Sequence, residues 1–439
     1  MRRLAVVAAL VLAAGSPLVA VAAAGGQQAP VRHAGRISEL AFNATAHAYP
    51  FGIAVGSDGS LWFADQGCLG HGYCLILRVD SLGHFSQFSR GLRQGAIPYY
   101  MAVDPDGDLW FTDEGARPAI GRITPSGKIT EFSRGLLPGS LPFELALGKG
   151  GVMWFTAEGQ VPGIGRITPS GQITEFTKGL LPGAIPFGLA PNRDGSVWFT
   201  DHGCDLHGTC AIGHLSARGQ ISETIRGLIR RTQPLGMAGL PVGTTWFADG
   251  AGAIGRISPS GKITEYRRGL WPNSAPVAIA AGPDGNLWFT DEGWTPAIGR
   301  ITSGGRITEY GRGLMLGALP AALTAGPDGD VWFTDEAGPG GIGYVTTGKG
   351  AALQAAPIVT APARPGGPLR CLAPSTTHWG QVKPSLHLFG FDGYQWLRDG
   401  IPIRGARSQS LPAAPGKRVA CRVTVTFGEP FLVTATATS

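Results

Sequence analysis

Long apolar runs are nearly absent from this chain of 439 residues. The run that follows Arg2 and Arg3, from Leu4 to Gly15, is too short to cross a bilayer comfortably, so no membrane span is expected. Neither sign of charge is in large excess. With 36 Lys and Arg against 30 Asp and Glu, the chain as a whole is only modestly basic, and no nucleic-acid partner is expected. Helical periodicity of the kind a solenoid needs is missing too. What recurs instead is a unit of some forty residues carrying four short strand signals, which excludes a helical solenoid.

The unit is marked by an aromatic pair. Trp62-Phe63, Trp110-Phe111, Trp154-Phe155, Trp198-Phe199, Trp246-Phe247, Trp288-Phe289 and Trp332-Phe333 are each followed by Thr or Ala and usually by an acid. A proline opens the apolar segment before each pair: Pro50, Pro98, Pro142, Pro186, Pro234, Pro276 and Pro320. Between them, Asp-Gly and Pro-Ser-Gly sequences separate short alternating runs, and glycine at such places accepts the positive φ that hairpin turns require. The pattern predicts an all-β chain, a seven-bladed β-propeller of four-stranded blades. Ala54, Ala102, Ala146, Ala190, Ala238, Ala280 and Thr324, four residues past each proline, suit an innermost strand where the blades taper together. Trp and Phe, being adjacent, face opposite sides of their sheet, so each blade gives one ring to each neighbour. The seventh unit lacks an Ile-Thr-Glu-aromatic strand, and segment 35–40 supplies a matching one, so the N-terminal strand is expected to close the last blade.

Residues 1–24 read as a secretion signal ending in small residues, and the mature chain is expected to be exported, extracellular or associated with the cell envelope. Export favours disulfides. Cys68 with Cys74 and Cys204 with Cys210 share one spacing inside the two longest units, and Cys371 with Cys421 forms a third pair. Both loops also spell Cys-x2-His-x2-Cys through His71 and His207, which leaves a metal reading open. The propeller is placed at 35–349 and a Pro, Ala and Gly-rich linker at 350–367. A small Ig-like β-sandwich follows at 368–439, where Cys371, Trp396 and Cys421 have immunoglobulin spacing. This tail resembles the bacterial Ig-like modules of secreted Gram-positive proteins, with Val419 standing where a corner tyrosine would be. From 357 onward nine basic residues face three acidic ones, a net of 9 − 3 = +6. That charge suits an anionic cell-wall polymer or phospholipid, or serves only as a solvated surface.

Chemistry is expected at one mouth of the channel. There the second strands end in Asp65, Asp113, Asp201, Asp249, Asp291 and Asp335, with Ala157 breaking the series, and Glu114, Glu158, Glu292 and Glu336 follow. Asp113, Glu114, Glu158, Asp291, Glu292, Asp335 and Glu336 are candidate ligands for Mg²⁺ or Ca²⁺, hard ions that take oxygen donors. The alternative is that each Asp satisfies loop amides in an Asx turn. His202, a candidate catalytic residue, and Glu144 depart from the repeat and stand out for that reason. Phe51, Tyr99, Tyr100, Phe143 and Phe187 form an aromatic rim suited to a bound small molecule, peptide or cell-wall ligand. Arg122, Arg166, Arg256 and Arg300 each precede a Glu by nine residues, which predicts opposed Arg–Glu pairs across the outer hairpin.

The blade wording Pro-x-x-Ile-Ala-x-Gly-x-Asp-Gly-x-Leu-Trp-Phe-Thr, with Ile-Gly-Arg-Ile-Thr and Ile-Thr-Glu-Phe, resembles the streptogramin B (virginiamycin B) lyase family over about 35–355. The resemblance implies a propeller with a metal-lined mouth. In that family a Mg²⁺-assisted elimination opens a cyclic depsipeptide at its ester. The base is a histidine directly after the blade-opening proline, beside a metal-binding Glu and His. Here those positions hold Phe51, Tyr99, Phe143, Phe187, Leu235, Val277 and Ala321, and no blade-opening proline is preceded by Glu. An elimination needs a positioned base. Three readings therefore stand: a secreted, monomeric binding propeller; a lyase that recruits His202 or His207; and a lactonase-like hydrolase using the carboxylates.

Overall fold

The structure, a computed structural model, describes residues 33–348 except 42–48, 68–73, 81–84, 204–209, 241–242, 327 and 338–339. Beyond these it describes only the backbone of short strands. Seven four-stranded antiparallel sheets form the body of the chain. Blade 1 consists of Pro50–Val55, Leu61–Asp65, Leu75–Val79 and Phe85–Phe88, and blades 2 to 6 repeat that order. Blade 7 takes three strands from Pro320–Ala325, Val331–Asp335 and Gly341–Val345. Its fourth is the N-terminal Ile37–Ala41, which pairs with Gly341–Val345 in the register Ile37 to Val345. The ring is closed by its own first strand, as the sequence predicts, and no sheet edge is left where the ends meet. Among the described residues no helix is long and apolar enough to cross a membrane.

The first strands of successive blades touch one another all the way round, so they line the axis. All seven Phe of the Trp-Phe pairs are fully buried, and the Trp of one blade shares a core cluster with the Phe of the next. Each such ring removes roughly 150–250 Å² from water. Glycine in Ile-Gly-Arg is the complement of this packing: a Cβ on Gly121 or Gly165 would lie within about 2 Å of the Phe ring beneath it. The arginines of that motif lie over the tryptophans, with Arg122, Arg166, Arg256 and Arg300 at 5.3–5.8 Å from the Trp ring centre.

The expected Arg–Glu pairing does not occur. Arg122 stands opposite Thr130, and Glu131 stands opposite Gly121. The turn holds five residues between its last paired positions, Ile123 and Ile129, so the ladder lies one step away from the predicted register. The glutamates bind main-chain amides instead. Glu131 accepts from Arg93 N at 3.2 Å, Glu265 from Ile229 N at 2.9 Å, and Glu39 from Met315 N at 2.8 Å.

The C-terminal strands belong to a separate compact unit. They form two three-stranded sheets, one from Ile358–Thr360, Leu369–Leu372 and Ser410–Leu411, the other from Ile401–Pro402, Phe389–Arg398 and Val419–Phe427. Cys371 and Cys421 lie on different sheets of this unit, and their side chains are outside the described residues. The expected signal at 1–24 and the linker at 350–367 also fall largely outside them. Neither Cys74 nor Cys210 is a free thiol. Their expected partners Cys68 and Cys204, with His71 and His207, lie outside the described residues.

Candidate functional site

One distortion, repeated seven times, builds the mouth. In every blade the register slips between the opening proline and the third residue after it. Such a bulge releases two residues from the ladder and re-aims the first of them. The second sits hard against the next blade's first strand: a Cβ on Gly52 would lie 2.2 Å from the Tyr99 carbonyl oxygen, and one on Gly188 would lie 2.3 Å from that of Leu235. Gly52, Gly188, Gly236, Ala278 and Ala322 meet that limit, while Tyr100 and Glu144 are larger departures in adjacent blades.

Thr of the Trp-Phe-Thr motif fixes the bulge and joins the blades. Thr156 Oγ1 accepts from Glu144 N at 3.0 Å and donates to Phe187 O of blade 4 at 2.7 Å. Thr112, Thr200, Thr290 and Thr334 make the same donation to Phe143, Leu235, Ala321 and Phe51, and the last bond crosses the ring closure. Blades 1 and 5 carry Ala64 and Ala248 and lack it. This role was not read from the sequence, although the alternation of Thr with Ala was visible there.

The aspartates at the ends of the second strands are bound in the way an Asx turn requires. Asp113 Oδ1 accepts from Ile97 N at 2.6 Å and from Gly115 N at 2.8 Å. Asp291 Oδ1 accepts from Ala275 N and Gly293 N, and Asp335 Oδ1 from Leu319 N and Ala337 N, all at 2.7–2.9 Å. Each Asp thus anchors the residue before the blade-opening proline and the loop after its own strand. Among the described residues no three His, Cys, Asp or Glu side chains converge as a metal-holding group. Among the described residues the donors therefore do not fit the metal that the resemblance implies.

The glutamates behave differently. Glu114 is half-buried, and its pKa is raised to about 8 by burial and then by the charges of Glu158 and Asp113. Burial alone raises Glu158 to about 7. Glu144 is buried, accepts from Leu189 N at 3.3 Å, and is raised to about 8, again by burial. Glu336 is raised by burial despite the bond it accepts from the Tyr49 hydroxyl, and Glu292 is exposed on the rim. At neutral pH the wall is therefore less anionic than its composition suggests.

The rim aromatics do come together. Phe51 and Tyr99 have ring centres 4.2 Å apart, Tyr99 and Phe143 5.0 Å, and Phe143 and Phe187 4.7 Å. Tyr100 tucks in behind, 5.1 Å from both Phe51 and Phe143. His202 continues the arc with its ring 5.8 Å from Phe187, and its backbone N–H bonds Ile185 O. Half of the mouth, from blades 1 to 4, is thus a continuous aromatic wall. Leu235, Val277 and Ala321 complete the circle on the other side.

A model of the virginiamycin B lyase family matches residues 25–133, 71–268 and 231–369, which together span most of the chain. The chain belongs to this family. It is 31% identical to a catalytically inactive histidine-to-alanine variant of virginiamycin B lyase from Staphylococcus aureus, solved with quinupristin. The match covers 71% of this chain and 99% of that one, with a TM-score of 0.62. A streptogramin B lyase structure matches at 30% identity over 71% of this chain and 97% of its own, with a TM-score of 0.60. A WD40 propeller domain of Doa1 shares the fold alone, at 10% identity over 72% and 97% of the two chains and a TM-score of 0.53. Comparison with curated proteins finds no match. Within the family, the place after each blade-opening proline holds aromatic or aliphatic side chains here and nowhere a histidine.

Proposed function

We propose that the chain is a secreted binding propeller. It takes a ring-bearing small molecule or cyclic peptide against the aromatic wall of its mouth and leaves that ligand chemically intact. The observation that carries this reading is the unbroken contact from Phe51 through Tyr99 and Phe143 to Phe187, built from the residue position where the family's base would stand. Aromatic surfaces in a concave mouth bind by burial and by offset or edge contacts between rings. The nearby glutamates add hydrogen-bonding partners that are partly protonated at neutral pH. The two arginines and the short apolar run at the N-terminus support export.

Quinupristin, present in the related structure, is the first probe. Titration calorimetry with the full mature chain is expected to show binding, and chromatography with mass spectrometry is expected to return the ligand unchanged. An elimination product would have the ligand's mass and a different retention time, whereas a hydrolysis product would be one water heavier. Either product overturns the reading. Tyr99→Ala should weaken binding about tenfold, the loss expected for one well-placed ring.

A second reading rests on one observation: burial holds Glu158 at about 7, where a general base is most effective. If turnover is found, Glu158→Gln together with His202→Ala decides it. Loss of turnover with binding retained makes the pair a site, and addition of Mg²⁺ separates a metal-assisted route from one without metal.

A further inference from the structure

Blade 4 breaks the repeat at its lower end, on the face opposite the mouth. In blades 1, 2, 3, 5 and 6 an arginine lies over the Trp ring, as Arg78 does over Trp62 at 5.3 Å and Arg300 over Trp288 at 5.7 Å. In blades 1 and 6 that arginine also meets the aspartate of the first turn. Arg78 pairs with Asp58 Oδ2, and Arg300 Nη1 lies 4.0 Å from Asp284 Oδ2. An aromatic from the outer strand stacks beneath in those blades, as Phe132 does on Trp110 at 5.7 Å and 24°. Blade 4 keeps the tryptophan and the aspartate, Trp198 and Asp194, but carries His214 in place of the arginine and Thr224 in place of the outer aromatic.

The consequence is a cavity of about 710 Å³ lined by Trp198, His214 and Asp194 of blade 4 and by Leu240 and Pro259 of blade 5. That volume lies within the range of small-ligand sites. Trp198 is half-buried, whereas the other six tryptophans of the motif are no more than 7% exposed. His214 reaches its ring, with centres 4.5 Å apart. Burial lowers its pKa, and Asp194 opposes that shift. Asp194 itself is held below the usual carboxylate range by its bonds from Ser196, at 2.9 Å from the amide and 2.7 Å from the hydroxyl. Both bonds fall on Oδ1, and in blades 1 and 6 it is Oδ2 that meets the arginine. Arg193 belongs to the exposed rim of the same cavity.

We propose that this cavity is a binding site for a guanidinium group, presented by an arginine side chain of a peptide partner. The template for the ligand is internal to the molecule. Five blades cover their tryptophan with their own arginine, whereas blade 4 leaves Trp198 half-buried beside the smaller His214, with Asp194 on the same cavity. A cation over an indole, with an ionised carboxylate at its edge, is a complementary arrangement whose strength comes from both contacts.

The test uses the full chain and a capped arginine, N-acetylarginine methylamide, with the capped citrulline analogue as its uncharged isostere. Calorimetry or NMR titration is expected to show arginine binding at least about tenfold tighter than citrulline. His214→Arg should fill the seat from within. It is expected to fold as the sister blades do and to lose at least about tenfold in affinity. Asp194→Asn, on an exposed turn, should lose affinity for arginine and not for citrulline. Tyr99→Ala, at the mouth, should leave this binding unchanged, so failure here is distinct from failure at the mouth. Equal affinity for citrulline, unchanged binding in His214→Arg, or no arginine binding at millimolar concentration overturns the proposal.

Discussion

Thr156 serves two blades with one hydroxyl, accepting from Glu144 N and donating to Phe187 O. Valine would keep its shape and leave that amide and that carbonyl without partners in a dry interface. Thr156→Val is therefore expected to cost about 1–3 kcal/mol of unfolding free energy, measured by urea denaturation at constant m-value. An unchanged midpoint would mean that water or another group satisfies both atoms. Gly165→Ala should be more harmful, because its new Cβ would stand 2.0 Å from Phe155 Cζ inside a sheet with no room to yield. The sequence displayed both residues without showing what they do. Repetition tells that seven positions share an environment; it does not tell whether that environment is channel, interface or turn. The aspartate series shows the same limit, since a carboxylate ring for a cation and a carboxylate cap for loop amides have one signature. The Oδ1 bonds are those of the cap, at 2.6–2.9 Å to the amides on either side.

At the scale of strands and blades the reading was more complete. Seven prolines, seven Trp-Phe pairs and the missing outer strand of the last unit were enough to place Ile37–Ala41 beside Gly341–Val345. That inference worked because edge pairing is demanded by backbone chemistry and leaves few choices. The outer hairpin misled because one residue of turn length decides which side chains face each other, and Pro-Ser-Gly does not encode it. The rim aromatics were legible as a set, whereas the bulge that brings them together was not. The lower cavity shows only as three coincident departures in one blade: half-buried Trp198, His214 and Thr224. Closure also yields a prediction. Deleting residues 33–41 removes the strand paired with Gly341–Val345 and the bond from Met315 N to Glu39, and bares a sheet edge. The truncated chain is expected to melt at lower temperature and to self-associate, which size-exclusion chromatography reads directly. A monomer with the original melting temperature would show that the seventh blade is stable with three strands.

Over the whole ring, carboxyl groups are buried in a way that ties stability to pH. The outer-strand glutamates Glu39, Glu131, Glu223 and Glu265 have pKa values raised to about 7, in each case first by burial. For Glu39, Glu131 and Glu265 the charge of Asp335, Asp113 or Asp249 at the strand end adds to the rise, and Asp201 does the same for Glu223. Glu114, Glu144 and Glu158 at the mouth shift the same way. A carboxyl whose folded pKa lies above its unfolded value of 4.5 binds its proton more tightly in the native state. Its contribution to stability is complete below the unfolded pKa and is lost as pH rises through the folded one. Every blade that repeats the Asp–Glu arrangement adds to the same slope, so the effect is a property of the ring and not of one site. Thermal unfolding is expected to give a melting temperature several degrees higher near pH 5 than near pH 8, with the loss running from the unfolded value of 4.5 up to about 7 and levelling off above it. Glu131→Gln should remove one share of that slope while keeping an acceptor for the Arg93 amide. A profile that is flat, or that rises toward pH 8, would mean that these carboxyls are ionised in the folded ring and that solvent reaches them between the blades.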